Sequence, residues 1–236
     1  MILSEKYMIS VILPTYNESG NIIKLIKKIS QKLKIYNFEI IVVDDNSPDQ
    51  TGDLAKREFS KNKNIKIFIR EKGKDLASAI LLGINKSEGE EILVMDSDFN
   101  HDPEVLPIML AHKDSYDLVV GSRYIKGGGM EDRVRFILSF IYNLLIRSLL
   151  HLKTHDNLSG FFLLKRKHLA KFEKKNIFYG YGEYFIRLLT IAHKHNLSIY
   201  EVPVFYKNRS SGESKSKFIP MFIDYSKTVI QILGSR

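Results

Sequence analysis

The sequence predicts an α/β domain: a mainly parallel sheet flanked by helices, with amphipathic helices toward its C-terminal end. Short β-branched runs recur at Ile9–Leu13, Phe38–Val43, Ile65–Ile69, Glu91–Met95 and Asp117–Val120. Each of the first four is followed by a stretch of helical periodicity. That alternation is the signature of βαβ units on a sheet buried on both faces. The length of 236 residues suits one domain, because single hydrophobic cores stop growing near about 250 residues.

The first run leads into Ile22, Ile23, Leu25, Ile26, Ile29 and Leu33, an apolar helical stripe with lysines between. Ser19 is expected to cap that helix. After Val120 the pattern changes. Gly127-Gly128-Gly129 predicts a flexible loop, followed by a helix over Arg135–Leu152 with polar residues at Arg135, Ser139, Asn143, Arg147 and His151. Steps of four advance such a stripe by about 40°, which makes a narrow polar ribbon on an apolar cylinder. A strand is expected at Phe161–Lys165, a helix around Tyr184–Lys194, a strand at Ser198–Val204 and a serine-rich loop at Ser210–Ser216. The last helix, Phe218–Leu233, places Phe218, Phe222, Tyr225, Val229 and Ile232 on one face, with Asp224, Thr228 and Gln231 opposite.

Composition narrows the function classes. There is no cysteine, so neither a disulfide framework nor thiolate chemistry is available, and a reducing compartment is the simpler expectation. The net charge of +9 favours anionic partners. The lysines are spread along helices without an aromatic and basic patch, so no nucleic-acid partner is expected. Met1–Ser10 runs directly into a strand without a leader pattern. Phe136–Leu152 is too short and too interrupted to cross a bilayer. The protein is expected to be soluble or to lie on a membrane surface.

The chemistry concentrates at strand ends, where ligands of open parallel sheets bind. Pro14-Thr15-Tyr16-Asn17-Glu18 follows the first strand, Asp44-Asp45-Asn46-Ser47 the second and Asp96-Ser97-Asp98 the fourth. In an extended backbone Asp96 and Asp98 share a face, and Asn100 continues it if the extension persists. Oxygen donors of this kind suit Mg²⁺ or Mn²⁺, which use one or two carboxylates together with substrate phosphates. His101 and His155 have no ligand spacing and are expected at the surface or in caps.

These segments, with Val42-Val43 through Gln50-Thr51 and Gly121-Ser122-Arg123-Tyr124, resemble the family 2 glycosyltransferases of the GT-A fold. Asp156 to Phe161, Glu201-Val202-Pro203 and Gly212-Glu213-Ser214-Lys215 extend the resemblance to dolichyl-phosphate mannose synthases and related polyprenyl-phosphate glycosyltransferases. The resemblance implies that Pro14, Tyr16 and Glu18 hold base and ribose, that Asp44 with Asp45 holds the nucleoside, and that Asp96, Asp98 and Asn100 hold the metal. It implies that Arg123, Arg135, Arg209 and Lys215 meet phosphates, with Asp98, Arg123 and Arg135 nearest the chemistry. Departures are Asp75-Leu76-Ala77 where relatives have Gly-Leu-Gly, and Asn100 where glutamine is usual. Glu183 and Arg187 stand on a helix where relatives carry an acidic residue further along.

The implied activity is inverting, metal-dependent transfer of a sugar, foremost mannose from GDP-mannose, onto a polyprenyl or dolichyl phosphate. It would act at the cytoplasmic face of a membrane, alone or docked onto a separate membrane subunit. A UDP-sugar donor, with polyprenyl phosphate or a polysaccharide as acceptor, is the alternative. A nucleotidyltransferase would need a glycine-rich loop after the first strand, and Pro14-Thr15-Tyr16-Asn17 is not one. A lipid monophosphate has its second ionisation near about pH 6, so no strong base is required. Within the single domain, residues 1–125 are expected to bind nucleotide sugar and metal. Residues 126–217 are expected to bind the acceptor, with Arg209–Lys217 as a lid, and 218–236 to form an amphipathic helix. The two apolar helices are expected to cradle the lipid at the membrane surface.

Overall fold

A computed structural model describes residues 7–71, 75–207 and 218–235. The chain begins with β1 (Met8–Thr15), α1 (Ile22–Lys32), β2 (Asn37–Asp44), α2 (Thr51–Glu58), β3 (Ile65–Ile69), α3 (Leu76–Lys86) and β4 (Glu91–Val94). A 3₁₀ turn at Pro103–Val105 leads into α4 (Leu106–Ala111), then β5 (Leu118–Ser122), β6 (Gly129–Met130), α5 (Arg133–Leu150) and β7 (Phe162–Lys165). The remainder is α6 (Arg166–Leu169), α7 (Lys174–Ile177), α8 (Tyr184–Lys194), β8 (Ile199–Pro203), β9 (Phe205–Tyr206) and α9 (Phe218–Gly234).

Seven strands form one sheet in the order β3-β2-β1-β4-β7-β5-β8, and β6 pairs with β9 apart from it. Its central strands are buried on both faces, which is why they read as unbroken apolar runs. One face packs on Ile22, Leu25, Ile26 and Ile29 of α1, the other on Ile80 and Ile84 of α3 and Phe185, Leu188 and Leu189 of α8. Each such side chain contributes about 1.5–3 kcal/mol by leaving water.

Strand direction is what the apolar runs could not show. β7 is antiparallel to both β4 and β5, while the other strands of the sheet run parallel to one another. The carboxyl ends of six strands therefore meet at one edge, and β7 brings its amino-terminal lead, Asp156–Phe161, to that same edge.

Four local expectations change. Ser19 does not cap α1: Asn21 occupies the cap position without a side-chain capping bond. The Glu18 and Ser19 amides are instead held by Thr51 Oγ1 at 2.9 Å and Asp49 Oδ2 at 3.0 Å, which pins this turn to the start of α2. The triple glycine is partly ordered as β6, with Gly129 opposite Phe205 and Met130 opposite Tyr206. A Cβ on Gly128 would lie 2.5 Å from the Ser122 carbonyl oxygen, so only glycine permits this approach. Thr228 is buried rather than solvent-facing, because it accepts a hydrogen bond from Arg187 at 3.2 Å. Helix α5 begins two residues before the expected start, at Arg133, with Asp132 capping through the Arg135 amide at 2.9 Å.

Candidate active site

The carboxyl edge of the sheet opens into a cleft of about 870 Å³. Its polar end is lined by Pro14, Tyr16, Glu18, Asp45 and Asp75, its middle by Asp96, Asp98, Asn100 and Arg123, and its apolar end by Val134, Leu138, Met221 and Phe222. The turn described above presents Tyr16, which is 41% exposed, and Glu18, whose Oε2 accepts from the Asn21 side-chain amide (Nδ2) at 2.8 Å.

Asp44 and Asp45 separate. Asp44 is buried, does not line the cleft, and accepts from the Ser47 amide and hydroxyl at 2.9 and 2.5 Å. Asp45 lines the cleft and pairs with Nε of Arg70. Arg70 follows β3 on the same sheet edge and also donates to Ser78 Oγ at 2.7 Å and to the Asp75 carbonyl at 2.9 Å. Sequence reasoning missed Arg70, although its place directly after a strand was the available signal. Asp75 caps α3 by accepting from the Ser78 amide at 2.8 Å. Ala77 is buried and donates its amide to the Gly180 carbonyl at 3.0 Å.

Asp96 is 44% exposed at its side chain and Asp98 is buried; both line the cleft. The expected extension through Asn100 does not occur, because Phe99 turns the chain at φ 66°. Asn100 folds back instead, its backbone amide donating to Asp98 Oδ1 at 3.0 Å and its side-chain amide to Oδ2 at 2.9 Å. Among the described residues no group of three or more His, Cys, Asp or Glu side chains could hold a metal. Asp96, Asp98 and Asn100 bring two carboxylates and one side-chain amide to the cleft, donor types that suit a hard divalent ion.

Arg123 lies at the cleft wall but is committed within the protein. Its Nε and Nη2 donate to Asp156 Oδ2 and Oδ1, both at 2.7 Å, and its ring neighbours are Tyr206 and Tyr124 at 4.8 and 5.1 Å. Burial works against the charged guanidinium, but the Asp156 carboxylate more than offsets it and its pKa is raised. Arg135 is exposed on the first turn of α5, lines the cleft, and has no carboxylate partner among the described residues. Lys207 also lines the cleft and was not anticipated. Arg209, Lys215 and the expected lid over Arg209–Lys217 lie outside the described residues.

His101 departs most from expectation. It is fully buried, stacked on Phe161 with ring centroids 4.7 Å apart, and its Nδ1 accepts from the Asp96 amide at 2.8 Å. His155, as expected, is exposed and bonds Glu201. Glu183 is buried outside the cleft lining and accepts from the Tyr181 amide at 3.0 Å. Burial raises the Tyr184, Tyr206 and Tyr225 phenols above their ordinary range; all three line the cleft, and the Tyr184 and Tyr206 hydroxyls donate to the Gly160 and Ser159 carbonyls.

Only the first part of the α5 polar ribbon turns toward the site: Arg135 and Ser139 line the cleft, Asn143 accepts from the Asn157 amide at 2.7 Å, and Arg147 and His151 lie away from the cleft lining. Its flanks are left exposed, with Val134, Ile137 and Ile141 at 70%, 55% and 58%. On α9, Ile223 and Ile230 are exposed as well, at 45% and 68%. No described helix is long and apolar enough to cross a membrane.

The family model described as glycosyl transferase family 2 matches residues 10–172. Dolichol-phosphate mannosyltransferase of Pyrococcus furiosus is 34% identical over 232 residues, covering 95% of this chain and 63% of that protein. The chain thus spans slightly under two thirds of that relative. The Mycosarcoma maydis protein of the same name is 31% identical, with 96% of this chain and 79% of that protein covered. Among solved structures, glucosyl-3-phosphoglycerate synthase of Mycobacterium tuberculosis with phosphoglyceric acid superposes with a TM-score of 0.75 at 20% identity, covering 97% of this chain and 81% of that one. Its complex with Mn²⁺, UDP and glucosyl-3-phosphoglycerate gives 0.71, covering 98% and 80%. At this identity the likeness is one of fold, and that fold is GT-A.

Proposed function

The chain belongs to glycosyl transferase family 2, and from that premise we propose that it transfers mannose from GDP-mannose to a polyprenyl or dolichyl phosphate at a membrane surface. One observation carries the reading: a single cleft runs from a polar, acidic end, past Asp96 and Asp98, to an apolar end between α5 and α9. A nucleotide sugar suits the first end and a lipid phosphate the second. The relatives named dolichol-phosphate mannosyltransferase support the donor and acceptor classes.

In this reading Tyr16, Glu18 and Asp45 bind the nucleoside, in the half formed by residues 1–125. Asp96, Asp98 and Asn100 would hold Mg²⁺ or Mn²⁺, which when bound supplies charge stabilisation for the departing diphosphate. Arg135 and Lys207 meet the acceptor phosphate, with Arg209 and Lys215 as further candidates in sequence. Arg123 acts through its pair with Asp156, holding the cleft wall in place. The acceptor is already anionic at neutral pH, so the protein's task is to align two anions rather than to remove a proton. Single displacement inverts the anomeric centre. The exposed flanks of α5 and α9 rest on the cytoplasmic face of a membrane, with or without a membrane subunit.

Thermal shifts against GDP, UDP and their sugars, with and without Mn²⁺, test the donor. Stabilisation by GDP with Mn²⁺, and formation of a β-linked mannosyl phosphate lipid, are expected. Selective stabilisation by UDP would replace the donor, and a covalent glycosyl-enzyme would overturn the displacement.

A further inference from the structure

His101 lies beneath Asp96 with no exposure at all. Its two ring nitrogens have different hydrogen-bond partners, and Nε2 also lies 3.7 Å from Asp96 Oδ2. Nδ1 receives the Asp96 amide at 2.8 Å, and a nitrogen that accepts from an amide carries no proton. Nε2 therefore bears the hydrogen and donates to the Tyr206 hydroxyl at 2.6 Å. The Tyr206 hydroxyl in turn donates to the Ser159 carbonyl at 3.1 Å. Every member of this chain of bonds has its direction set by a backbone group at each end. The imidazole cannot turn, because Phe161 stacks on it with an interplanar angle of 10°.

We propose that His101 is a positioning residue that fixes Asp96 for metal binding and ties its place to Tyr206 on β9. The proposal rests on Asp96 holding the metal. It goes beyond that reading by joining two walls of the cleft. Asp96 follows β4, whereas Tyr206 stacks on Arg123 and stands just ahead of Lys207, which also lines the cleft. A shift of β9 is thereby felt at Asp96 through one rigid ring. Partners that orient metal ligands typically change metal affinity by about 10–100-fold when removed.

The test uses the intact chain with Mn²⁺ alone as probe, its affinity read by electron paramagnetic resonance, beside amide exchange at Asp96. His101→Phe keeps the stack and removes both bonds; about a tenfold or greater loss of Mn²⁺ affinity and faster Asp96 exchange are expected. His101→Asn retains an acceptor near the Nδ1 position and should restore Asp96 protection. Tyr206→Phe, which removes one hydroxyl without a change of shape, should weaken Mn²⁺ binding while leaving Asp96 exchange near wild type. Unchanged Mn²⁺ affinity and unchanged exchange in folded His101→Phe would overturn the proposal, as would unchanged Mn²⁺ affinity in Tyr206→Phe. If the unmodified chain bound no Mn²⁺, the metal reading itself would fail and this proposal would fall with it; binding by the unmodified chain separates the two failures.

Discussion

Arg123 and Asp156 form a buried two-point ion pair, and the Arg123 amide adds a third bond to Asp156 Oδ2 at 3.0 Å. The pair joins the end of β5 to the lead of the antiparallel β7, so it exists only because β7 runs against its neighbours. Removing one partner strands a buried charge. Asp156→Ala is expected to destabilise folding by about 3–5 kcal/mol in urea titrations. Arg123→Met combined with Asp156→Leu should recover much of that loss, since no charge is then left unpaired. Activity should stay low in both, because the cleft wall is altered.

Glu91 predicts a pH dependence away from the cleft. It lies at the amino end of β4, where burial pushes its carboxyl up to about 7, against the attraction of Lys113 and Lys165. The folded state therefore favours the protonated form. That contribution is fully present below pH 4.5, the ordinary value, and is lost as pH rises through about 7. A shift of this size corresponds to roughly 3 kcal/mol. Glu91→Gln should equal the wild type near pH 4.5 and exceed it in urea stability by about that amount near pH 8. The pH profile of turnover should not move.

The strand ends were legible because β-branched runs stop where Pro, Asn, Asp and Ser begin, and this places Tyr16, Asp45, Asp96 and Asp98 at one edge. What was not legible depends on direction and on pairing across the chain. Nothing in Phe162–Lys165 tells that the strand is antiparallel, so the Asp156 partner of Arg123 could not be inferred. Asp44 and Asp45 are adjacent in sequence, yet only the structure assigns one to Ser47 and the other to Arg70. His101 was misread for the same reason: a lone histidine carries no spacing signal, and its partners are a backbone amide and a tyrosine 105 residues away.

The apolar surface of α5 and α9 predicts lipid binding that charge should abolish. Ile137, Ile141 and Ile230 are 55%, 58% and 68% exposed, so substitution costs little packing. The triple Ile137→Glu, Ile141→Glu, Ile230→Glu variant should fold with small changes in stability, each exposed site contributing about 0.5 kcal/mol or less. Its flotation with liposomes should be lost, whereas turnover of a short, water-soluble polyprenyl phosphate should persist. Loss of turnover on both acceptors would place these residues in substrate binding rather than membrane contact.

Asp96 and Asp98 are expected to fail differently. Asp98 is buried and accepts both Asn100 donors, so Asp98→Ala would release the turn at Phe99 and leave the Asn100 amide without its acceptor. Asp96 is 44% exposed at its side chain, and its backbone amide is independently held by His101. Asp96→Asn should therefore preserve the fold, raise the Mn²⁺ concentration needed for half-maximal activity, and lower kcat by about 10²–10³, the scale of losing one preorganised electrostatic contact. Asp98→Ala should show the same kinetic loss together with a lower Tm. Excess Mn²⁺ should rescue part of the Asp96→Asn defect and little of the Asp98→Ala defect, because only the former leaves the geometry of the site in place. Equal activity of Asp96→Asn and wild type at limiting Mn²⁺ would remove Asp96 from the metal site.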